Sequence, residues 1–492
     1  MQFVSKTFLA LWIQLLSPFS YSAERELVLY DAINVYVYQT KYVKSRRLAL
    51  ENTRLEYDNF KKSLLPAFSL NFSPISFDHS LRLLQNYSTG EYSNVEEYSN
   101  TSSGGISIMQ KITATGGIFT LGSSISFLRE FTNNNNSFSA TPMYLSYSQS
   151  LFGGGKSMRF EKAISRLKNE MAIKNFCAAV STEQQKILTL YLEAYSNKVD
   201  IDFYTKTVNM GDSLLIHANL RRDAGKMTDY EYNQVEIQQL DSKMALKKAV
   251  YAFSCSVRLL ENELSLQEIE LGDLSVKDFP SYINEENVLY FVNRNNPEYQ
   301  ALEMERLNAE YALHQTKVNN RFNANISLNY GLNQYAKTFR GAYEHPDQRQ
   351  AVAVTFSVPV FQWGINHNKL KIAQNEYETV LLEQEDELDK FKEEIHGCVF
   401  EYNMSRELMD VASRKYELSA QQYSFAAMRF KLGKMAAIEL TDANRDYLQA
   451  KQHYLSTLKT LLTNYYKIRH ISLHDFMEDR DMVELIQESI RE

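Results

Sequence analysis

The heptapeptide Arg221-Arg-Asp-Ala-Gly-Lys-Met227 returns 208 residues later as Arg429-Phe-Lys-Leu-Gly-Lys-Met435. Both copies follow long stretches without proline, which is the composition of uninterrupted helices. A glycine just past a helix end favours the left-handed cap, and cations are favoured at the negative end of the helix dipole. The two heptapeptides therefore predict two long helices that reverse at Gly225 and Gly433.

Two further pairs of segments repeat in the same order along the chain. Leu64-Leu-Pro-Ala-Phe-Ser-Leu-Asn71 resembles Asn325-Ile-Ser-Leu-Asn329, and Ser148-Gln-Ser-Leu-Phe-Gly-Gly-Gly155 resembles Ser357-Val-Pro-Val-Phe-Gln-Trp-Gly364. Three collinear matches indicate an internal duplication. The offset between the copies falls from 258 to 209 residues, so the first half carries 49 additional residues between its first and last strand.

The duplication divides the chain into a first repeat, 24–275, and a second repeat, 276–474. Each repeat opens with a helical stretch, continues into strands that alternate apolar and polar residues, and ends in a helical hairpin. The long arms of the hairpins, 156–222 and 365–432, would each extend about 100 Å as single helices. The additional residues of the first repeat predict an extra hairpin at 105–130, and whether it joins the other strands is left open.

The second arm carries a continuous heptad pattern. Starting from Leu381, every seventh residue is apolar or aromatic over eight heptads, which predicts a coiled coil. The members of this stripe are Leu381, Leu388, Ile395, Tyr402, Met409, Tyr416, Tyr423 and Phe430.

The composition agrees with long helices and excludes several classes of protein. Gly and Pro number only 17 and 8 of 492 residues, and the net charge of −7 does not favour nucleic acid as a partner. The three cysteines form neither a disulfide framework nor a zinc motif. Residues 1–23 have the layout of a secretory signal peptide, and no later apolar stretch reaches the length of a transmembrane helix. An acidic C-terminal tail, 475–492, is expected to be disordered or to wrap around the outside.

Two motifs have simple structural explanations. The segment 150–157 ends like a phosphate-binding loop, but Ser150 occupies the position of the first glycine of that motif. We therefore expect a strand-to-helix turn here. His470 and His474 lack the acidic partner of a zinc helix. We therefore expect no catalytic residues, no metal site and no cofactor.

In this order of elements the chain resembles the TolC family of outer-membrane efflux proteins, the outer membrane factors. The resemblance covers the chain from the predicted cleavage site to about residue 474. It rests on the duplication, on the Phe152-Gly-Gly-Gly155 and Phe361-Gln-Trp-Gly364 junctions, on the turn at Gly433 and on Ile438-Glu-Leu-Thr-Asp-Ala443.

The resemblance implies a mainly α fold with a β-barrel portion. A homotrimer would close a twelve-stranded outer-membrane β-barrel, on a count of four strands per chain, continuous with an α-helical coiled-coil tunnel in the periplasm. The implied function is that of an exit duct in a tripartite efflux pump or a type I secretion system. The implied partners are a periplasmic adaptor, an inner-membrane transporter of the RND, ABC or MFS type, and outer-membrane lipid.

The resemblance also assigns roles to the two turns. Residues expected to contact the adaptor are Gly225, Lys226, Met227, Gly433, Lys434 and Met435, with plain turn chemistry as the alternative. Residues expected at the periplasmic aperture are Glu439, Asp442, Glu231, Arg429 and Arg221, with a solvated charged surface as the alternative. In a trimer, Glu439 and Asp442 would supply six carboxylates to a ring that favours cations.

Two other functions remain open at this point. One is a soluble periplasmic coiled-coil scaffold, which would lack the alternating strands. The other is an exported enzyme that uses the loop at 153–157, for which protection of the fold by a nucleotide would be the mark.

Overall fold

A computed structural model describes most of the chain. The described ranges are 26–85, 90–132, 134–274, 279–358 and 361–491. The predicted signal peptide lies outside them. Among the helices in these ranges, none has both the length and the apolar composition that crossing a bilayer requires.

The first half begins with a 6-residue and a 22-residue helix, continues through four long strands and ends in two long helices. Its elements are α1 (Leu29–Asn34), α2 (Lys41–Lys62), β1 (Ala67–Gln85), β2 (Tyr92–Ile112), β3 (Gly117–Glu130), β4 (Asn135–Ser150), α3 (Gly154–Asp223) and α4 (Asp229–Leu264). The 70-residue helix α3 agrees with the predicted arm to within two residues at each end.

The second half repeats this order with two strands instead of four. Its elements are α5 (Glu285–Asn295), α6 (Pro297–Asn319), β5 (Asn323–Ala336), α7 (Gly341–Glu344), β6 (Asp347–Ser357), α8 (Ile365–Lys431), α9 (Ala437–Ser472) and α10 (Met482–Arg491). Asn296 caps α6 by accepting hydrogen bonds from the backbone of Glu298 and Tyr299, and Pro297 occupies the first turn, where its missing N–H costs nothing.

The six strands form one sheet in the order β1-β2-β3-β4-β5-β6, and each strand is antiparallel to its neighbours. The extra hairpin is the pair β2 and β3, inserted between β1 and β4. The sequence-based count of four strands per chain is therefore wrong, because the additional residues extend the sheet instead of forming a loop outside it. A total of twelve strands for three chains no longer follows.

The two faces of the sheet differ sharply in chemistry. Directly paired residues share a face, so the register identifies each face across all six strands. The apolar face carries Phe68, Leu70, Ile106, Ile108, Phe119, Leu121, Leu145, Tyr147, Leu328, Tyr330, Val352 and Val354. The small polar face carries Ser69, Asn71, Gly105, Ser107, Thr120, Gly122, Ser146, Ser327, Asn329, Ala351 and Ala353.

Contacts divide the chain into two compact units. The helical unit comprises Met1–Arg47, Cys177–Asn295 and Glu394–Glu492, and the sheet unit comprises Leu48–Phe176 and Asn296–Glu393. Both units draw on both halves of the chain. The repeats at 24–275 and 276–474 therefore describe the order of elements, and their standing as domains stays a prediction.

The core of the helical unit contains the C-terminal part of the heptad stripe that was predicted on α8. Ile395, Tyr402, Met409, Tyr423 and Phe430 are all buried. Tyr416, at the same heptad position, stacks on Tyr447 and Tyr454 of α9 with ring centroids 5.7 and 5.4 Å apart. Large side chains from α8 thus pack against α9, as the heptad pattern predicts.

The C-terminal segment is folded up to Arg491, so the expectation of a disordered tail is wrong, whereas the alternative that it wraps around the outside stays a prediction. Helix α10 buries Met482, Val483 and Ile486, and Asn295 donates a hydrogen bond to Asp481. The sequence-based expectation rested on the acidic residues of this segment. The apolar residues between them determine how it packs.

Candidate functional site

The turns that follow α3 and α8 have the same backbone hydrogen bonds. The N–H of Gly225 donates to the Arg222 carbonyl at 2.9 Å, and the N–H of Lys226 donates to Arg221 at 2.8 Å. In the second half, Gly433 donates to Phe430 and Lys434 donates to Arg429, both at 2.9 Å. This is the Schellman motif, which satisfies the last carbonyls of a helix.

The glycines are present for conformation and not for close packing. Gly225 has a φ of 69° and Gly433 a φ of 72°, and an added Cβ at either position would have no atom within 4 Å. Left-handed backbone is the one requirement that the two positions share.

Glu231 and Glu439 occupy the third position of the return helices α4 and α9. The Glu231 carboxylate accepts a hydrogen bond from the Thr228 backbone at 2.9 Å, and Thr228 Oγ1 accepts one from the Glu231 backbone at 3.2 Å. These two bonds form a capping box. The carboxylate also accepts a hydrogen bond from Thr228 Oγ1 at 3.0 Å, and the bonds that it accepts from the backbone and the hydroxyl of Thr228 lower the pKa of the Glu231 carboxyl, with a smaller contribution from Arg221. Glu439 accepts a longer bond, 3.4 Å, from the backbone of Ala436.

Asp442 lies one turn beyond Glu439 on α9, and both side chains are exposed. Its carboxylate accepts a hydrogen bond from Arg445 at 2.7 Å within the same helix. The two predicted aperture acids are therefore available to solvent, although each already has a local partner.

The predicted aperture arginines differ from each other. The Arg221 guanidinium lies over the Phe430 ring at 5.2 Å and so links α3 to α8. Arg429 is exposed, and no salt bridge to it is found among the described residues. A second link between the hairpins is the bond that Thr441 Oγ1 donates to Gln238 at 3.2 Å.

The two turns share one apolar core. It joins residues of α3, α4, α8 and α9 around Phe430 and includes Met227, which is only 8% exposed, with Met435 packed against it. Lys226 and Lys434 are exposed. Of the six residues predicted to contact an adaptor, the lysines and glycines are accessible, whereas Met227 belongs to the core.

The sequence reasoning missed two exposed apolar stripes. On α8, every seventh residue from Met404 is apolar and exposed, and on α4 the same holds from Tyr230 to Tyr251. The first stripe consists of Met404, Val411, Leu418 and Phe425 on α8 and of Leu432 directly after its last residue, and the second of Tyr230, Ile237, Met244 and Tyr251 on α4. The seven-residue spacing was present in the sequence beside the buried stripe, so a search for a second heptad phase would have found both.

The glycine run that resembles a phosphate-binding loop is packed against backbone. A Cβ on Gly155 would lie 2.5 Å from the carbonyl oxygen of Ala114, and one on Gly154 would lie 2.7 Å from that of Thr115. These glycines are explained by the approach of the turn between β2 and β3. In the described part of the chain, no cluster of His, Cys, Asp and Glu side chains is arranged to hold a metal ion.

The strand-and-hairpin architecture is similar to that of solved outer-membrane channel structures. The structure of the Campylobacter jejuni CmeC outer membrane channel matches with a TM-score of 0.65 at 13% identity, over 94% of this chain and 88% of that one. The open-state Neisseria gonorrhoeae MtrE outer membrane channel matches with a TM-score of 0.60 at 16% identity, over 92% and 90%. The Vibrio cholerae outer membrane protein VceC gives 0.63 at 11% identity, over 90% and 95%. At these identities the likeness shows the fold.

A family model matches much of the second half of the chain. Residues 291–471 match the family described as outer membrane efflux protein. This match confirms the resemblance, and with it the outer-membrane localisation that the sequence predicted. A search of curated proteins finds no match.

Proposed function

We propose that this protein is the exit duct of a transport assembly that spans the cell envelope. An inner-membrane transporter would drive cargo into the duct, and the duct would conduct it passively across the periplasm and the outer membrane. A tripartite efflux pump and a type I secretion system both use such a part. The duct itself then needs no catalytic residues and no cofactor.

The apolar face of the sheet carries this proposal. Phe68, Leu70, Phe72, Val352 and Phe356 are each more than 60% exposed, on strands whose opposite face is Ser, Asn, Gly and Ala. Soluble proteins rarely expose so large an apolar surface, whereas membrane barrels present alternating residues to lipid and to water. On β4 the apolar face extends from Phe138 to Tyr147, about 23 Å across a bilayer at a tilt of about 40°. This argues against a soluble periplasmic scaffold.

Three copies would complete the helical wall. The exposed stripes on α4 and α8 both begin near the turns, at Tyr230 and Leu432, and continue away from them at the same seven-residue spacing. The two helices have opposite directions, so α8 of one copy and α4 of the next can pack as an antiparallel coiled coil. A homotrimer would bury both stripes in this way.

The adaptor would dock at the exposed part of the two turns. Lys226 and Lys434 extend from equivalent positions and suit a partner helix with acidic residues. Met227 packs inward and would contribute to the shape of the turn. The transporter behind the adaptor, of the RND, ABC or MFS type, decides the cargo.

Glu439 and Asp442 would line the periplasmic aperture of the trimer. Both are exposed on the first turns of α9, and carboxylate rings at a constriction favour cations. Arg221 on Phe430 and the bond between Thr441 and Gln238 would hold the two hairpins of one copy together.

Planar-bilayer conductance of the detergent-purified mature protein tests the duct. We expect cation-selective openings that a trivalent cation such as hexaamminecobalt(III) blocks from the periplasmic side. A protein that is soluble without detergent and forms no channel would refute the proposal.

The double variant Glu439→Gln, Asp442→Asn tests the aperture assignment. Gln can still accept the cap bond of Ala436, so the turn should remain folded, while cation selectivity and trivalent block weaken several-fold. The control removes two carboxylates of α8 that also pair with arginines, Asp410→Asn and Glu417→Gln. An equal loss of selectivity in both variants would place the selective ring elsewhere.

A further inference from the structure

We infer that the hairpin of β2 and β3 is part of the membrane wall, and that β6 of one copy pairs with β1 of the next to close an eighteen-stranded barrel. The inference rests on the proposed trimeric duct and adds the size of its outer-membrane opening.

The first observation is the pair of free edges. Among the described strands, β1 and β6 each pair on one side only, and the four strands between them are paired on both sides. Unpaired backbone donors and acceptors at a sheet edge need a partner, above all in lipid. Six strands are too few to close into a barrel by themselves, because about eight strands are needed for the interior to hold its side chains. The partner that both edges fit is a second copy of the chain.

The second observation is that the inserted hairpin has the same two faces as its neighbours. Ile108 of β2 lies between Phe68 and Leu121, and all three belong to the apolar face. Ser107 lies between Ser69 and Gly122 on the opposite face. A hairpin that folded into the lumen or stood in solvent would not need this alternation. The pattern is that of a wall strand with one lipid-facing side.

The third observation is that the turn between β2 and β3 lies at the end of the sheet where β4 ends. Its turn lies against the glycines that begin α3, with a Cβ on Gly116 only 2.7 Å from the backbone of Gly154. Strand β4 ends a few residues before these glycines, at Ser150. The hairpin therefore begins where the neighbouring wall strand ends, so its strands cover the same apolar band.

The number of strands sets the width of the opening. At a strand spacing of about 4.8 Å and a tilt of about 40°, eighteen strands give a backbone diameter of about 36 Å, against about 24 Å for twelve. The insertion would thus widen the outer-membrane part by half, to a size at which barrels hold an aqueous channel. The narrowest point of the duct would then lie outside the membrane.

Electron cryomicroscopy of the full-length protein in lipid nanodiscs counts the strands directly. We expect eighteen strands in a trimer of the wild-type chain. Deletion of residues 92–130 removes β2 and β3 and leaves β1 free to pair with β4, so we expect a trimer with twelve strands and a narrower barrel. A wild-type trimer with any other number of wall strands would overturn the inference.

Disulfide scanning provides a test that does not depend on how well the deletion variant folds. In a Cys255→Ser background, Ser69→Cys on β1 is combined in turn with Ala351→Cys, Ala353→Cys and Thr355→Cys on β6. We expect one combination to link chains into covalent dimers and trimers, because paired strands bring Cα atoms within about 6 Å. The control is Ser107→Cys, which is directly opposite Ser69 but one strand further from the edge.

The outcomes separate this inference from the proposed function. A conducting trimer whose edge cysteines do not link, or link no better than the Ser107 control, refutes the eighteen-stranded wall and leaves the duct standing. A protein that neither trimerises nor conducts refutes the duct. Linked edges together with eighteen strands support both.

Discussion

The two halves of the chain use the same turn at the ends of their long helices but contribute four strands and two strands to the sheet. At the turns, every backbone bond of the first half has its counterpart 208 residues later. At the strand-to-helix junctions the halves differ, because Gly154 and Gly155 touch the turn of the inserted hairpin, whereas Gly364 has no atom within 4 Å of an added Cβ. The two turns are alike because their backbone geometry requires the glycine and the same hydrogen bonds. The two junctions differ because only the first has the inserted hairpin as a neighbour.

A second difference concerns two lysines at equivalent positions of the return helices. Lys243 of α4 forms an exposed salt bridge with Asp212 at 2.9 Å. Lys451 of α9 pairs with Asp200 of α3, and its side chain is only 2% exposed and lies over the Phe203 ring at 4.5 Å. The same residue type is thus exposed in one half and buried in the other, while its acidic partner is at least partly exposed in both.

The largest expected effect comes from removing the partner of the buried lysine. Asp200→Asn leaves the Lys451 ammonium buried without a counter-charge, which we expect to cost about 3 kcal/mol of unfolding free energy. Asp212→Asn removes the exposed pair and should cost less than about 1 kcal/mol. Thermal unfolding of the purified protein, read by helical circular dichroism, measures both. Equal costs would show that burial does not distinguish the two lysines.

The pH dependence of stability sharpens the same comparison. Burial lowers the pKa of Lys451 from 10.5 to about 8. Above pH 8 the unfolded chain therefore binds a proton that the folded chain does not, and the free energy of unfolding should rise with pH by at most about 1.4 kcal/mol per unit. Below pH 8 this group contributes no slope.

The measurement should stay between pH 8 and about 9.5, because tyrosines whose pKa is raised by burial, such as Tyr402, favour unfolding near pH 10. Lys451→Met is the control and should lose the rise. A rise that persists in Lys451→Met would belong to another group.

The sequence predicted most of the fold and only part of the site. Helix ends, the buried stripe through Tyr402 and both turns followed from proline-free length, heptad spacing and glycine, all of which act locally. The pairing of β2 with β1 did not follow, because alternation reveals that a strand has two faces and not which strand lies beside it. The cap formed by Thr228 and Glu231 could be predicted from the local sequence, because the two residues have the spacing of a capping box. The burial of Met227 could not, because it depends on how four helices pack together.

Alanine at two glycines with the same φ isolates the effect of crowding by Val318 of α6 at the first strand-to-helix junction. Gly153 and Gly364 both have a φ of 79°, so alanine strains each by about 1 kcal/mol. A Cβ at Gly153 would also lie 2.6 Å from the Val318 side chain, whereas one at Gly364 has open space. We expect Gly153→Ala to cost about 1–2 kcal/mol more than Gly364→Ala in the same thermal assay. If the two alanine variants unfold together, the crowded junction has room to relax.

The smallest expected effect tests the likeness of the two turns. Thr228 caps α4 with its side chain, whereas Ala436 at the equivalent position of α9 has no side-chain acceptor. Thr228→Ala should therefore cost about 1 kcal/mol, and Ala436→Thr should gain up to about the same amount by completing a capping box with Glu439. Hydrogen exchange of the first turns of α4 and α9 reads this locally, as faster exchange in the first variant and slower exchange in the second. Unchanged protection in Ala436→Thr would mean that the 3.4 Å bond from Ala436 to Glu439 is not equivalent to the cap of α4. The likeness of the two turns would then include their glycines but not the first turns of the return helices.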